Sequence, residues 1–222
     1  MIELVGLNKT YKDGDQSVGA VSDVSLKVEQ GDFVSIMGHS GSGKTTLLSL
    51  IGGLTKPDSG RVVIGGTDIW TLSDDDLSNF RNSNVNFIFQ FASLVPTLSV
   101  LDNVLLPSAF GTCCEGLEDY ARTLLETVGL GDKITSYPSR LSGGQQRRVA
   151  IARAFINSPK VVLADEPTGD LDEASEADVL EIFMRRNDAG TTFIIVTHNP
   201  VLAGAAGRQY LMAGGALSEK RA

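Results

Sequence analysis

The chain is short of several features that mark common classes of protein. Its 222 residues include two cysteines, Cys113 and Cys114, adjacent in sequence. Neighbouring cysteines pair only in a strained ring, and without a second pair they build neither a disulfide framework nor a zinc site. This usage fits a reducing, cytosolic compartment, with both residues read as small packing residues of a helical region. No stretch approaches the ~20 apolar residues that span a bilayer. The start, Met1-Ile2-Glu3-Leu4, lacks the basic-then-apolar order of a secretory signal. The chain is therefore expected to be soluble by itself, with any membrane role supplied through a partner. Positive charge is also scarce: 19 Lys+Arg against 27 Asp+Glu leave a net charge of −8. That balance is poor for neutralising a phosphodiester backbone, so no nucleic-acid partner is expected.

Glycine, by contrast, is plentiful at 24 residues, in a chain otherwise balanced like an ordinary globular protein. The length suffices for one sizeable core with a smaller lobe attached. The first thirty residues read as strands, with Val24, Leu26 and Val28 alternating with polar residues. Phe33 to Met37 is a short buried-strand run that stops at Gly38, and Lys44 to Ile51 reads as a helix ended by Gly52-Gly53. Arg61 to Ile64 is a strand closed by Gly65-Gly66. From about Leu98 to Arg153 helical patterns dominate: Val100 to Leu106, Leu117 to Val128 and Gln145 to Ile156. Beyond them, Val161 to Ala164 and Phe193 to Val196 are wholly apolar, as central parallel strands covered on both faces should be. A helix from Ser175 to about Asn187 joins them into a strand–helix–strand unit. The order is thus a strand-rich start, an α/β core, a helical insertion and a return to the core.

The glycines explain themselves at Gly38-His39-Ser40-Gly41-Ser42-Gly43-Lys44-Thr45, which matches G-x-x-x-x-G-K-[ST] between a buried strand and a helix. Glycines let the backbone wrap closely, so that successive N–H groups point into one concavity and hold phosphate oxygens. The following helix adds its positive end. Lys44 is placed to reach the β- and γ-phosphates and Thr45, with Thr46 beside it, to set a hydroxyl on Mg²⁺. A second site follows Val161 to Ala164, where Asp165 and Glu166 close a central strand. In open α/β sheets that end faces the ligand crevice. Asp165 suits Mg²⁺ coordination, and Glu166 can polarise an attacking water as general base.

Leu141-Ser142-Gly143-Gly144-Gln145, running into a helix, resembles the signature of the ATP-binding-cassette (ABC) family, and the resemblance extends over essentially the whole chain. It implies an α/β fold: a P-loop NTPase core with an N-terminal antiparallel β subdomain and an inserted α-helical subdomain. Residues 1–222 would form one ABC ATPase domain, with 1–90 and 158–222 making the β subdomain and core and 91–157 the helical part. The resemblance makes Tyr11 the aromatic that stacks on adenine, with Val18 beside the base or ribose. Gln90, after Phe87-Ile88-Phe89, resembles the glutamine that senses Mg²⁺ near the membrane partner. Gly169-Asp170-Leu171-Asp172 resembles the loop that crosses to the other subunit, and Thr197-His198 the switch histidine. Ser142, Gly143 and Gly144 ahead of a helix also make a second anion site in their own right. One chain thus carries two phosphate-binding helix starts, and the resemblance implies a head-to-tail dimer with ATP between the cradle of one copy and the signature of its mate. Arg147, Arg148 and Arg153 read as a solvated helix face with ion pairs.

Within the family, Phe89 to Leu98 followed by Leu101-Asp102-Asn103-Val104 looks like the lipoprotein-releasing and macrolide-exporter branch. That resemblance implies a membrane-spanning permease partner with a large extracytoplasmic domain, and a location at the cytoplasmic face of the inner membrane. No regulatory domain is expected after Gly214-Gly215, which suits the branch, whereas Asn199 stands where many relatives carry Asp. Two other roles stay open: a soluble ABC ATPase of translation or repair, and a regulator of cell-division machinery.

Overall fold

Alternating apolar positions at the start of the chain build a long antiparallel hairpin, β1 (Ile2–Asp13) with β2 (Gln16–Val28). The computed structural model describes residues 1–14, 16–110, 116–169 and 171–220, so Cys113, Cys114 and Asp170 lie outside the described residues. β1 also pairs with β4 (Ser59–Ile64), which carries the two-residue β5 (Thr67–Asp68), giving an antiparallel sheet in the order β2-β1-β4-β5. Its inner face is the apolar half of the alternation, including Ile2, Leu4, Val24, Leu26 and Val62.

The second sheet runs β10 (Ala216–Glu219), β9 (Arg208–Ala213), β3 (Phe33–Met37), β8 (Thr192–Val196), β7 (Val161–Asp165), β6 (Val85–Ile88). All are parallel except β10, which turns back antiparallel on β9. The wholly apolar runs of β7 and β8 are needed because both faces are covered. Val161, Leu163, Ile194 and Val196 enter one core with α1 (Lys44–Ile51), Leu77 of α2 (Asp74–Asn84) and the antiparallel sheet. Val162, Ala164, Phe193 and Ile195 enter the other. That second core also takes side chains from α3 (Val100–Leu105), α4 (Leu117–Thr127), α5 (Gly143–Phe155), α6 (Glu173–Asp188) and α7 (Pro200–Gly204). Among the described residues, the chain between β6 and β7 is helix and turn without strand.

The parallel register places the site. Ile36 of β3 and Asp165 of β7 both lie opposite Val196 of β8, and Ile88 of β6 lies opposite Ala164. The segments leaving β3, β6, β7 and β8 therefore emerge along one edge, the carboxyl edge where α/β sheets bind ligands. Two helices begin earlier than their apolar pattern indicates, at Gly143 and Glu173, because Ser142 and Asp172 cap them. Among the described residues no helix is long and apolar enough to cross a membrane.

Candidate active site

The loop after β3 is built around a steric exclusion. Gly43 adopts φ 104°, and a Cβ there would sit 1.9 Å from the Ala20 carbonyl oxygen of β2. A Cβ on Gly38 would lie 2.3 Å from the carbonyl oxygen of Met212 in β9. Only bare backbone fits between those two strands, which is why the loop closes tightly enough to aim its N–H groups inward. Lys44 Nζ donates to the carbonyls of Gly38 (2.8 Å) and His39 (2.9 Å), drawing the ammonium over the loop.

Beside it, Asp165 ends β7 with the Thr45 hydroxyl close enough to favour its ionised form. Burial, reinforced by the Glu166 carboxylate, pushes the Asp165 carboxyl above its ordinary range, against the pull of Thr45 and Lys44. Glu166 takes a left-handed backbone, φ 46°, a conformation that costs a non-glycine residue about 1–3 kcal/mol and is characteristic of functional sites. It is held there by its N–H to Val196 O (2.8 Å) and by Gly169 N–H to its own carbonyl (3.1 Å). Its Oε2 accepts from the His198 backbone N–H (3.2 Å), and His198 Nδ1 lies 2.9 Å from the same oxygen. The Glu166 side chain is 15% exposed, whereas that of His198 is 77% exposed and faces outward.

Gly38, His39, Ser40, Gly41, Ser42, Gly43, Lys44, Thr45 and Thr46 line one cavity of about 570 Å³ with Gln90, Asp165, Glu166 and His198. Ala20 joins them. Sequence reasoning missed it, since a lone alanine in a strand carries no signal; it is there because Gly43 packs on its carbonyl. The Thr45 hydroxyl and Asp165 carboxylate present neighbouring oxygen donors, the chemistry Mg²⁺ prefers. Among the described residues no cluster of three or more His, Cys, Asp and Glu forms a ready metal cage. That suits a cation taking one or two carboxylates and completing its shell with phosphate and water.

The other candidate residues lie outside this cavity. Tyr11 and Val18 are cross-strand partners on the β1–β2 hairpin, 45% and 54% exposed, with Lys9 Nζ 5.6 Å from the Tyr11 ring centroid. Val18 stands two residues before the cavity-lining Ala20 on β2. Ser142 caps α5 by accepting from Gln145 N (3.3 Å), and the Gln145 side chain accepts from Ser142 N (3.0 Å). Gly143 has open space where a Cβ would stand, while a Cβ on Gly144 would lie 3.4 Å from Leu171. Asp172 caps α6, accepting from Ser175 N (3.0 Å) and Oγ (2.9 Å), and the Ser175 N–H holds its carboxyl below the usual range.

One sequence reading needs correction. Arg147, Arg148 and Arg153 do not form a solvated face. Arg147 is buried and donates to the carbonyls of Phe89 (2.6 Å) and Gly169 (3.4 Å). Arg153 donates to Ala92 (2.7 Å) and Ser93 (2.9 Å), and Arg148 to Val128 (3.2 Å). Their guanidinium groups satisfy loop carbonyls, including the one directly before Gln90.

A parallel sheet with a phosphate-type loop after β3 and two acids closing β7 defines a P-loop nucleotide hydrolase. The family profile described as ABC transporter matches residues 21–169, and the chain belongs to that family, as an ATP-binding ABC ATPase cassette. It is 44% identical over 219 residues to the lipoprotein-releasing system ATP-binding protein LolD of Shewanella oneidensis, covering 98% of this chain and 95% of that protein. It is 45% identical over 212 residues to the macrolide export ATP-binding/permease protein MacB of Syntrophobacter fumaroxidans, covering 94% of this chain. The chain spans only 30% of that relative's length. Its fold matches a dimeric ATP-binding cassette solved in a post-hydrolysis state with ADP and Pi, at a TM-score of 0.93 and 37% identity over the whole of both chains.

Proposed function

We propose that this chain binds ATP with Mg²⁺ and hydrolyses it in a head-to-tail homodimer that drives a membrane-spanning permease. The Gly38–Thr46 backbone and Lys44 hold the β- and γ-phosphates. Thr45 and Asp165, with Gln90 beside them in the cavity, would hold Mg²⁺, which when bound would supply charge neutralisation at the phosphates. Glu166 orients and deprotonates the attacking water, and His198 steadies Glu166 while meeting the γ-phosphate. Tyr11 stacks on adenine with Val18 at its edge. The mate contributes Ser142, Gly143, Gly144 and Gln145 to the γ-phosphate, with the loop ending at Asp172 crossing between the copies. The single observation that carries this reading is that Lys44, Thr45, Gln90, Asp165, Glu166 and His198 share one cavity while the second anion-binding helix start lies outside it.

Residues 91–157 serve in this reading as a signature lobe carried by the core of 1–90 and 158–222. A groove of about 630 Å³, lined among others by Leu54, Phe87, Phe89, Pro107 and Phe110, runs beside the Gln90 loop. Phe91 and Phe110 are 72% and 73% exposed. Such apolar exposure next to a nucleotide-sensing loop suits a permease docking surface. The likeness to LolD and MacB supports a partner of the export or lipoprotein-release kind, and we propose for that partner a large extracytoplasmic domain. It supports a peripheral place on the cytoplasmic face of the inner membrane.

The test is Glu166→Gln, assayed for ATP turnover and for ATP-dependent dimerisation by size-exclusion chromatography. Turnover is expected to fall ~100-fold or more, since a positioned base contributes ~10²–10⁴, while nucleotide binding persists and an ATP-bound dimer accumulates. Undiminished turnover would remove Glu166 from its role.

A further inference from the structure

Behind the cavity, two strand ends are tied into a ring. Glu166, after β7, continues through residues 167–171 to Asp172, which caps α6. One turn into α6, Glu176 Oε1 accepts a hydrogen bond from Asn199 Nδ2 at 2.8 Å. Asn199 directly follows His198, and His198 donates back to Glu166. The circuit Glu166–Asp172–α6–Glu176–Asn199–His198–Glu166 is covalent except at its two hydrogen-bonded contacts.

Asn199 is chemically specific at this closure. Its Oδ1 is committed to the start of α7, accepting from Val201 N (2.8 Å) and Leu202 N (3.3 Å), and its own N–H is fixed by Thr197 Oγ1 (3.0 Å). Only the amide NH₂ is left to face Glu176. Aspartate would keep the helix cap, since its carboxylate accepts the same N–H groups, but would set a second carboxylate against Glu176. Neither Asn199 nor Glu176 lines the nucleotide cavity; both line a separate one of about 320 Å³ with Glu173, Thr168, Leu180 and Val201.

We propose that Asn199 and Glu176 are positioning residues, whose hydrogen bond closes this ring and thereby sets where His198 and Glu166 stand. The claim rests on the reading that Glu166 and His198 serve ATP hydrolysis. A capping role alone would leave the Asn199 NH₂ free of function; a positioning role requires it.

The experiment is a donor swap in the full chain, with turnover and KM for ATP measured across pH. Asn199→Asp is expected to lower kcat roughly 10-fold near pH 8, within the ~100-fold that a misplaced group can cost, with KM little changed. Among the described residues, Glu173 lines the same cavity as the pair, and Glu166 and His198 stand across the ring. Two facing carboxylates share one proton as pH falls, which restores a donor. The variant-to-wild-type ratio should therefore climb between about pH 8 and about pH 6. Glu176→Gln alone keeps an acceptor and should stay near wild type. The double variant Asn199→Asp with Glu176→Gln reinstates a donor–acceptor pair and should recover most of the lost kcat. An Asn199→Asp protein with wild-type kcat, or a double variant no better than the single, overturns the proposal while leaving the nucleotide reading intact. A wild-type chain without turnover would sink that reading instead. In that case the His198 imidazole resonance, one of only two in the chain, decides the positioning directly. It should shift in Asn199→Asp and return in the double variant, and an unmoved resonance refutes the ring.

Discussion

Asp165 shows how a single carboxylate trades folding stability for chemistry. Its carboxyl is raised above an ordinary value of 3.8, first by burial and then by Glu166 next to it. A group that binds its proton more tightly folded than unfolded favours the folded state at low pH, and that advantage is lost as pH rises from the unfolded pKa through the folded one. At neutral pH the ionised Asp165 is therefore a net burden on folding. Asp165→Asn keeps a partner for the Thr45 hydroxyl and removes the charge, so it should raise Tm at pH 7 and lose that gain as pH approaches 4. Turnover should fall ~100-fold or more, because a metal's charge stabilisation is worth several kcal/mol. Melting curves at both pH values, alongside ATPase assays, check this; a lower Tm at pH 7 would contradict the assigned burial cost. At this scale much was legible beforehand. Lys44, Asp165 and Glu166 announce themselves because strand ends and glycine loops leave a spacing in the sequence, whereas His198 entered through the family resemblance. The left-handed turn at Glu166 and the part played by Ala20 do not, since both arise from contacts between segments far apart in the chain.

Among elements, α5 is where the sequence misled. Arginines one and six residues apart on a helix look like a solvated charged stripe, yet Arg147 and Arg153 turn their planar donors onto the carbonyls of Phe89, Ala92 and Ser93. Those acceptors are backbone, which no residue letter encodes, and they come from a loop more than fifty residues away. An apolar period locates a core, but it cannot say which irregular loop will lie on the other faces of a helix. The same limit displaced two helix starts: Ser142 and Asp172 set them through side-chain caps that precede the apolar pattern. The energetic weight of the α5 contacts is testable. Arg153→Ala removes two hydrogen bonds from a charged donor, and at ~1.5–3 kcal/mol for such groups a net loss of about 2 kcal/mol is expected. For a domain of this size that lowers Tm by roughly 4–8 °C. Amide exchange should quicken at residues 90–95 and stay unchanged at 38–46. Uniform quickening would mean that α5 steadies the whole fold and does not specifically hold the Gln90 loop.

At the scale of the molecule, the question is why one chain needs two anion-binding helix starts. The start of α1 lies in the cavity with the acids, whereas the start of α5, with Gly143 open to its surroundings, does not. In the proposed reading a single copy therefore has half of two sites. Head-to-tail pairing turns two halves into two complete sites, and it uses the same surfaces on both copies, as a two-fold dimer must. Complementation follows from that symmetry. Lys44→Ala damages only the cradle and Ser142→Arg only the signature, so each homodimer has two broken sites. In an equal mixture half of the dimers are mixed, and each mixed dimer has one doubly damaged site and one intact site. If the two sites act independently, about a quarter of wild-type turnover should return, peaking at the equal ratio and falling to either side. Recovery measured across the titration tests the geometry itself. If activity stayed at the level of the separate mutants at every ratio, cradle and signature would have to act within one copy, and a nucleotide shared between copies would be excluded.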